Sequence, residues 1–392
     1  MTTTRRHIVV VGAIGKLPYA GMTMYWLHYV RGLQELGYVV HYVERQNKPG
    51  EYYDPESRDM HDADARAAAY LDCLRNRFHC APDSWTLVTG NGQVLGTPLQ
   101  AALAEVEVAM IVADATWLDE LTDVRHRLFI DGDPMFTQAA YAAADPLVKE
   151  VVDNSSLLFT YGTRIGLSDC PIPLCGRVWL PTRPVVATSL WSVRPAPPDA
   201  PFTGLMHWAA GSDVESDGRA YGHKDREFEK FIDLPSLVQQ PCRLAVGGRK
   251  APRHRLAEAG WSLVDPLAAT LELPSYRAFI SESLGDFGVA KHAYVASRSG
   301  WFSDRATCFL ASGRPVLHQD TGFRDALDIG EDDGVIPFTD LDDLQRGVRL
   351  LAEDQNGLTR RARRTAERLF EARTVITQMF EAAGLATYSE ME

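Results

Sequence analysis

The chain has 392 residues, of which 45% are hydrophobic and 23% charged, and its formal net charge is −12. A chain of this length is too long to fold around one small hydrophobic core, and we expect two domains. The acidic balance argues against a nucleic-acid-binding or anionic-membrane-binding protein, because both need a basic surface. Any anion site must therefore be a local cluster of Arg and Lys.

The N-terminal sequence and the cysteines indicate the compartment. No apolar run approaches the length that a membrane span needs. The sequence MTTTRRHIVVVGAIG passes from a short apolar run straight into a glycine turn, which is typical of a first strand and not of a signal peptide. The six cysteines form no CxxC pair, so we expect reduced thiols and no zinc site. These features predict a cytoplasmic protein.

The first elements form a strand–helix–strand unit. Residues 7–11 are a nearly continuous apolar strand, residues 22–36 carry apolar side chains at helical spacing, and residues 39–43 are a second strand. This βαβ opening is typical of doubly wound α/β domains.

The loop after the first strand contains Gly12, Gly15 and Gly21. Their spacing differs from the dinucleotide fingerprint GxGxxG, so NAD is not expected. The loop is also longer than a tight phosphate turn needs, and we interpret it as a lid over a cleft. In that interpretation Gly15 and Gly21 let the backbone approach a ligand. The alternative is that Gly12 and Gly15 only form the turn.

The alternation of helices and strands continues through the first half of the chain. The strands are mostly apolar, as expected when helices cover both faces of a parallel sheet. The sequence predicts helices at residues 65–74, 98–104 and 137–152, and strands at residues 85–88, 106–113, 128–130 and 157–160.

Two acids, Asp131 and Asp133, follow the strand that ends at Ile130. The pattern resembles the metal-binding DxD of one class of sugar transferases, and it is also a good turn. At the carboxyl end of a parallel strand it points to the crevice where such sheets bind ligands. We interpret it as an acceptor-side carboxylate pair in preference to a metal site, and a simple turn remains the alternative.

Residues 170–201 contain eight prolines and read as a non-helical crossing between domains. We expect an α/β protein of two Rossmann-like domains facing a cleft, divided as residues 1–185, a linker at 186–201, residues 202–370, and a C-terminal helix at 371–392. That helix should cross back to the first domain. In the second domain the sequence predicts strands at 202–208, 242–246, 261–264, 287–290 and 335–338, and helices at 252–259, 276–282, 341–351 and 358–383.

Three cations of the second domain follow predicted strands. Arg219 and Lys224 lie in a polar loop and are a candidate diphosphate clamp. The acids of the same loop would neutralise them, so spacing alone favours a solvated loop. Lys291 emerges from the strand at 287–290 and is placed to reach the same anion.

Residues 295–323 contain a short capped helix followed by a buried strand. Ser303 is a natural N-cap with Asp304 in the first turn, so the free N–H groups there are suited to an anion. Arg298 and Arg305 flank that end and would add positive charge, while Asp304 is suited to sugar hydroxyls. The alternative is an ordinary capped helix in which Arg298 and Asp304 form a structural pair.

The string GRPVLHQDTGF at residues 313–323 resembles the GxPVV…D-x-G-G segment of GT-B glycosyltransferases, especially the large retaining group that carries an E-x7-E motif. RGLQELGYVVHYVE resembles that group's opening, and Arg219 and Lys224 fall where it places a diphosphate-binding pair. Longer strings, among them FTYGTRIGLSDCPIP, resemble a bacterial glycosyltransferase-like subfamily. The sequence departs from the motif at its two glutamates, whose positions fall at Gly300 and Cys308.

The resemblance implies a nucleotide-sugar donor in the second domain, a small-molecule or natural-product acceptor in the first, and no catalytic metal. Donor contacts would come from Arg219, Lys224, Lys291, Arg298, Ser303, Asp304, Arg305, Thr321 and Gly322, with the loop at Gly15 and Gly21 closing over the diphosphate. If the reaction inverts configuration, Asp133, Asp131 or His28 is the candidate base. The alternatives are a nucleotide-sugar epimerase or hydrolase of the same fold, and a protein that binds a nucleotide or glycan without chemistry.

Overall fold

A computed structural model describes residues 6–78, 80–113 and 116–385 of the chain. Strands and helices alternate, and the strands form two large sheets and two hairpins. In chain order the strands are β1 (His7–Val11), β2 (Val39–Arg45), β3 (Tyr52–Asp54), β4 (Asp59–His61), β5 (Ser84–Val88), β6 (Val94–Gly96), β7 (Val106–Val112), β8 (His126–Asp131), β9 (Leu157–Thr160), β10 (Trp179–Pro181), β11 (Phe202–His207), β12 (Val214–Ser216), β13 (Arg219–Tyr221), β14 (Cys242–Gly247), β15 (Ser262–Val264), β16 (Gly285–Gly288), β17 (Val316–Gln319) and β18 (Val335–Phe338).

The first sheet has eight strands in the order β10-β9-β8-β7-β1-β2-β5-β6, and only β6 runs antiparallel to its neighbour. The second has six parallel strands in the order β15-β14-β11-β16-β17-β18. The pairs β3–β4 and β12–β13 are antiparallel hairpins. The predicted α/β architecture with two parallel sheets is confirmed. Parallel strands all end at one edge, where ligands bind in such folds.

The helices cover the sheets, and several begin at a side-chain cap. Asp145 and Asp265 each accept backbone N–H groups of a helix whose first residue is proline. The helices are α1 (Ala20–Glu35), α2 (Asp64–Asp72), α3 (Leu74–Phe78), α4 (Leu99–Leu103), α5 (Phe136–Ala142), α6 (Pro146–Asn154), α7 (Lys224–Phe228), α8 (Leu234–Leu237), α9 (Arg253–Glu258), α10 (Pro266–Thr270), α11 (Leu273–Ser281), α12 (His292–Ala296), α13 (Asp304–Ala311), α14 (Phe323–Leu327), α15 (Leu341–Glu353), α16 (Gln355–Thr365) and α17 (Ala372–Ala382).

The largest buried apolar cluster runs across both halves of the chain. It joins the core face of α1 to side chains of α13 and α17. Gly32 of α1 lies against α17 so closely that a Cβ there would be 2.6 Å from the Cβ of Ala372. The last helix therefore packs on the first helix of the chain.

Two helices that the sequence predicts as continuous are broken. Residues 137–152 form α5 and α6, because Ala144 has a positive φ of 58° and Asp145 starts a new helix. The predicted helix at 358–383 forms α16, a π-helical turn at Ala366–Phe370, and α17. Its break comes at Glu371, where Val186 donates to the Phe370 carbonyl and accepts from the Ala372 N–H.

The proline-rich segment contains one strand that sequence patterning missed. β10 extends the first sheet beside β9, an edge position that tolerates proline. In the part of the chain that the structure describes, no helix has the length and apolarity to cross a membrane. The predicted domain boundaries stay a prediction.

Candidate functional site

A cavity of about 860 Å³, here called the large cavity, is lined by residues from both halves of the chain. The second half of the chain contributes the carboxyl ends of β11 and β14, the helix α10, and the start of α13. The first half contributes the first turn of α1 and the β3–β4 hairpin. Two ion pairs cross the cleft at the hairpin: Arg58 to Asp265 at 2.5 Å and Arg249 to Asp59 at 3.6 Å.

Arg305 is the most firmly placed cation of the large cavity. Its guanidinium donates to Asp286 Oδ2 at 2.9 Å and to the carbonyl oxygen of Leu205, which fixes it at the end of β11. Burial raises the pKa of the Asp286 carboxyl, although the Arg305 charge opposes that shift. The pair fixes the position of the Arg305 guanidinium at the cavity wall.

Lys224 is the second cation of the large cavity, at the start of α7. Burial lowers the pKa of its ammonium to about 7, and the charges of Arg305 and Lys291 contribute. Asp304, which also lines the cavity, has a raised pKa because it is desolvated, although Arg305 opposes the shift. An anion bound between these groups would stabilise the charged form of Lys224.

The start of α13 also faces the large cavity. Ser303 caps the helix as predicted, since its hydroxyl accepts from the Ala306 N–H at 3.4 Å. Asp304 and Arg305, the first two residues of the helix, both line the cavity. The helix thus presents its positive end and one guanidinium to the same space.

Six of the nine predicted donor residues do not line the large cavity, namely Arg219, Lys291, Arg298, Ser303, Thr321 and Gly322. Arg219 is exposed on the β12–β13 hairpin. Arg298 donates to Asp169 at 3.1 Å, and not to Asp304 as the structural alternative expected. Thr321 is buried and donates to the carbonyl of Trp301, and Gly322, with a φ of +92°, packs against Arg164. Arg298 and Gly322 thus contact residues of the first half of the chain, Asp169 and Arg164 respectively.

The first glycine loop is held by Glu44. The N–H groups of Gly15 and Lys16 donate to its two carboxylate oxygens, each at 2.7 Å, and Tyr42 donates at 2.9 Å. Burial raises the pKa of Glu44 to about 7 against these hydrogen bonds. Gly21 lines the large cavity, and a Cβ there would be 3.1 Å from the Cβ of Thr270.

A second cavity of about 410 Å³, here called the small cavity, lies at the carboxyl edge of the first sheet. Lys16, Trp117 and residues 131–133 are among its walls. Asp131 is buried, and its oxygens accept from the Asp133 N–H, Thr137, Gln138 and Thr160 at 2.6–2.9 Å. Asp131 therefore organises the turn, while the Asp133 side chain remains 44% exposed.

Asp133 reaches across to the second half of the chain. Its Oδ1 accepts from the Lys291 ammonium and from the Tyr294 hydroxyl. Burial raises the pKa of Asp133, but Lys291 and the two hydrogen bonds outweigh it, so the net shift is downward. Trp301 donates to the Gly132 carbonyl at 3.1 Å beside this contact.

His28 does not face either cavity. Its Nδ1 accepts from the Ala187 N–H at 3.1 Å, and its Nε2 lies 3.6 Å from the sulfur of Cys308. Burial, with a contribution from Arg277, lowers its pKa to about 3. A neutral, enclosed imidazole with both nitrogens engaged cannot take a proton from a ligand, which corrects the expectation that His28 is a candidate base.

Sequence reasoning missed Asp286, Tyr294 and Trp301. Asp286 carried a signal, because a carboxylate inside a strand that is buried at every position needs a partner. Tyr294 and Trp301 carried none, since both read as ordinary core aromatics. Among the described residues no group of three or more His, Cys, Asp or Glu side chains is arranged to hold a metal ion.

No protein-family model and no curated protein matches the chain. Solved structures match over nearly its whole length. AviGT4, a glycosyltransferase involved in avilamycin A biosynthesis, is 13% identical with a TM-score of 0.52, and the match covers 97% of each chain. An α-glucosyltransferase in complex with UDP and a 13-mer DNA is 11% identical with a TM-score of 0.56, over 96% of this chain and 98% of that one.

HepE of Anabaena, solved with UDP and glucose, is 11% identical with a TM-score of 0.52, over 97% of this chain and 100% of that one. At these identities the likeness concerns the fold. The chain has the GT-B fold, as the sequence resemblance implied.

Proposed function

We propose that the protein is a cytoplasmic glycosyltransferase that moves a sugar from a nucleotide-sugar donor to a small-molecule acceptor without a metal ion. The observation that carries the proposal is the large cavity, where Lys224, Arg305 and the start of α13 converge in a chain of net charge −12. A local cluster of cations in a chain of negative net charge is suited to binding a diphosphate. Structures of similar fold that contain UDP support a nucleotide there.

The diphosphate is the leaving group in this proposal. As the bond between the anomeric carbon and the phosphate oxygen breaks, the electron pair goes to the nucleoside diphosphate. The charges of Lys224, Lys291 and Arg305 and the helix end would stabilise that developing charge. Asp304 is placed to accept hydrogen bonds from donor hydroxyls.

The acceptor would occupy the small cavity, beside Asp133. An acceptor hydroxyl forms the new bond to the anomeric carbon, and in an inverting reaction its proton passes to the Asp133 carboxylate. In a retaining reaction the same carboxylate orients the hydroxyl. The walls include Asp133 and Glu150 against the single cation Lys16, so the proposed acceptor is a neutral or cationic polyhydroxy compound.

A second candidate is a nucleotide-binding protein without transfer. The observation that favours it is Cys308, which occupies the position of a motif glutamate and is buried against His28. A cysteine there offers no carboxylate to the donor. An epimerase or hydrolase would instead consume the donor without any acceptor.

The test is release of nucleoside diphosphate from a panel of nucleotide sugars in EDTA, with and without a mixture of neutral and amino polyols. The proposal expects release from one donor that increases with acceptor. Release that does not depend on acceptor would support hydrolysis or epimerisation. Binding of a nucleotide with no release from any donor would support the binding protein, and activity only with a divalent ion would contradict the metal-free mechanism.

A further inference from the structure

The Asp133–Lys291 ion pair connects a wall of the small cavity to the second half of the chain. Asp133 lines the small cavity, and its Oδ1 is held by Lys291 and Tyr294 from the other half of the chain. His292, the residue after Lys291, donates its N–H to the carbonyl of His223 at 3.1 Å, and His223 directly precedes Lys224 of the large cavity. The Lys291 charge also contributes to the lowered pKa of Lys224 and of His207, which both line the large cavity. The proposed base for the acceptor and a cation for the donor therefore neutralise each other.

The surroundings allow this pair to separate. The side chains of Asp133 and Lys291 are 44% and 24% exposed, so neither would be left buried and unpaired. The Lys291 ammonium also lies over the rings of Phe136 and Tyr294, 4.7 and 5.4 Å from their centroids. The rings are therefore additional partners for the ammonium, which does not depend on the carboxylate alone.

We propose that the Asp133–Lys291 pair is a donor-operated latch: an anionic diphosphate in the large cavity takes Lys291 from Asp133, and the freed carboxylate then faces the acceptor. This inference rests on the proposed function and adds the coupling between the two sites. Loss of the Lys291 charge from Asp133 raises the proton affinity of the carboxylate. Binding of the donor diphosphate thereby makes Asp133 a better base.

In the proposed latch the Asp133 carboxylate and the diphosphate compete for the Lys291 ammonium, and a binding experiment measures this competition. Asp133→Asn keeps an acceptor for Tyr294 but removes the competing charge, so inorganic diphosphate should bind roughly threefold to tenfold more tightly to this variant by titration calorimetry. Inorganic diphosphate is the probe because it does not depend on the nucleobase. The matched control is Asp169→Asn, which breaks another contact between the halves, that of Arg298 with Asp169, away from both cavities.

The second arm separates competition from simple charge repulsion. In a Lys291→Ala background Asp133→Asn should no longer tighten diphosphate binding, since there is no ammonium to release. An equal gain in that background, or an equal gain from Asp169→Asn, would overturn the latch. So would unchanged affinity of Asp133→Asn while the wild type binds, and that result would leave the proposed function standing. No binding of diphosphate or of any nucleotide to the wild type would remove the donor site and the latch together.

Discussion

Lys224 should make diphosphate binding depend on pH in a window where the phosphates of the ligand are already ionised. Burial lowers its pKa to about 7, so the ammonium is charged in about half of the molecules at pH 7 and in about one hundredth at pH 9. A diphosphate binds the charged form and raises its pKa again. The affinity should therefore fall as pH rises, by roughly fiftyfold between pH 7 and pH 9.

The assay is titration of UDP by calorimetry at several pH values in that range, where ionisation of the terminal phosphate, with a pKa near 6, is nearly complete. The comparison variant is Lys224→Arg, whose guanidinium stays charged throughout, so its affinity should change less than about threefold. A flat profile in the wild type would refute the assignment of Lys224 to the diphosphate. An equal decline in the arginine variant would place the titrating group elsewhere.

Two further predictions concern stability. Gly32→Leu should lower the thermal midpoint through a clash of about 1–3 kcal/mol with Ala372 of α17, whereas Gly330→Ala, which meets nothing within 4 Å, should change it little. An unchanged midpoint in Gly32→Leu would contradict the packing of α1 on α17. Because the folded pKa of Glu44 is raised to about 7, its contribution is full below its ordinary pKa and is lost as pH rises through 7. Glu44→Gln should therefore lose less unfolding free energy between pH 5 and pH 8 than the wild type, by up to about 3 kcal/mol. Its thermal midpoint should accordingly fall less over that range; equal losses would contradict the raised pKa.

The fold followed from local patterns because the strands are apolar and the helices are periodic. The opening unit of β1, α1 and β2 agrees with the predicted bounds to within a few residues. The capped helix and the buried strand predicted within residues 295–323 are α13 and β17. The misses occurred where tertiary contacts act on the backbone. Glu371 leaves the helix to pair with Val186, which is distant in sequence, and no local pattern indicates that.

The site was less predictable than the fold. Lys224, Asp304 and Arg305 were predicted because charges at strand and helix ends point to a crevice, and all three line the large cavity. The role expected for His28 was wrong, because the sequence pattern of a helix does not show whether the face that carries a histidine meets a cleft or another helix. The Asp133–Lys291 contact joins two halves of the chain, and only the packing of one on the other brings it about.

The central claim, that the large cavity is a donor site, is tested most directly by thermal melting with a panel of nucleoside diphosphates in EDTA. A nucleotide at about 100 times its dissociation constant should stabilise the wild type by roughly 2.7 kcal/mol, a rise of a few degrees. The account predicts that at least one nucleotide raises the midpoint of the wild type at pH 7 and that Lys224→Ala loses most of the rise. No rise with any nucleotide, or an equal rise in the variant, would contradict it.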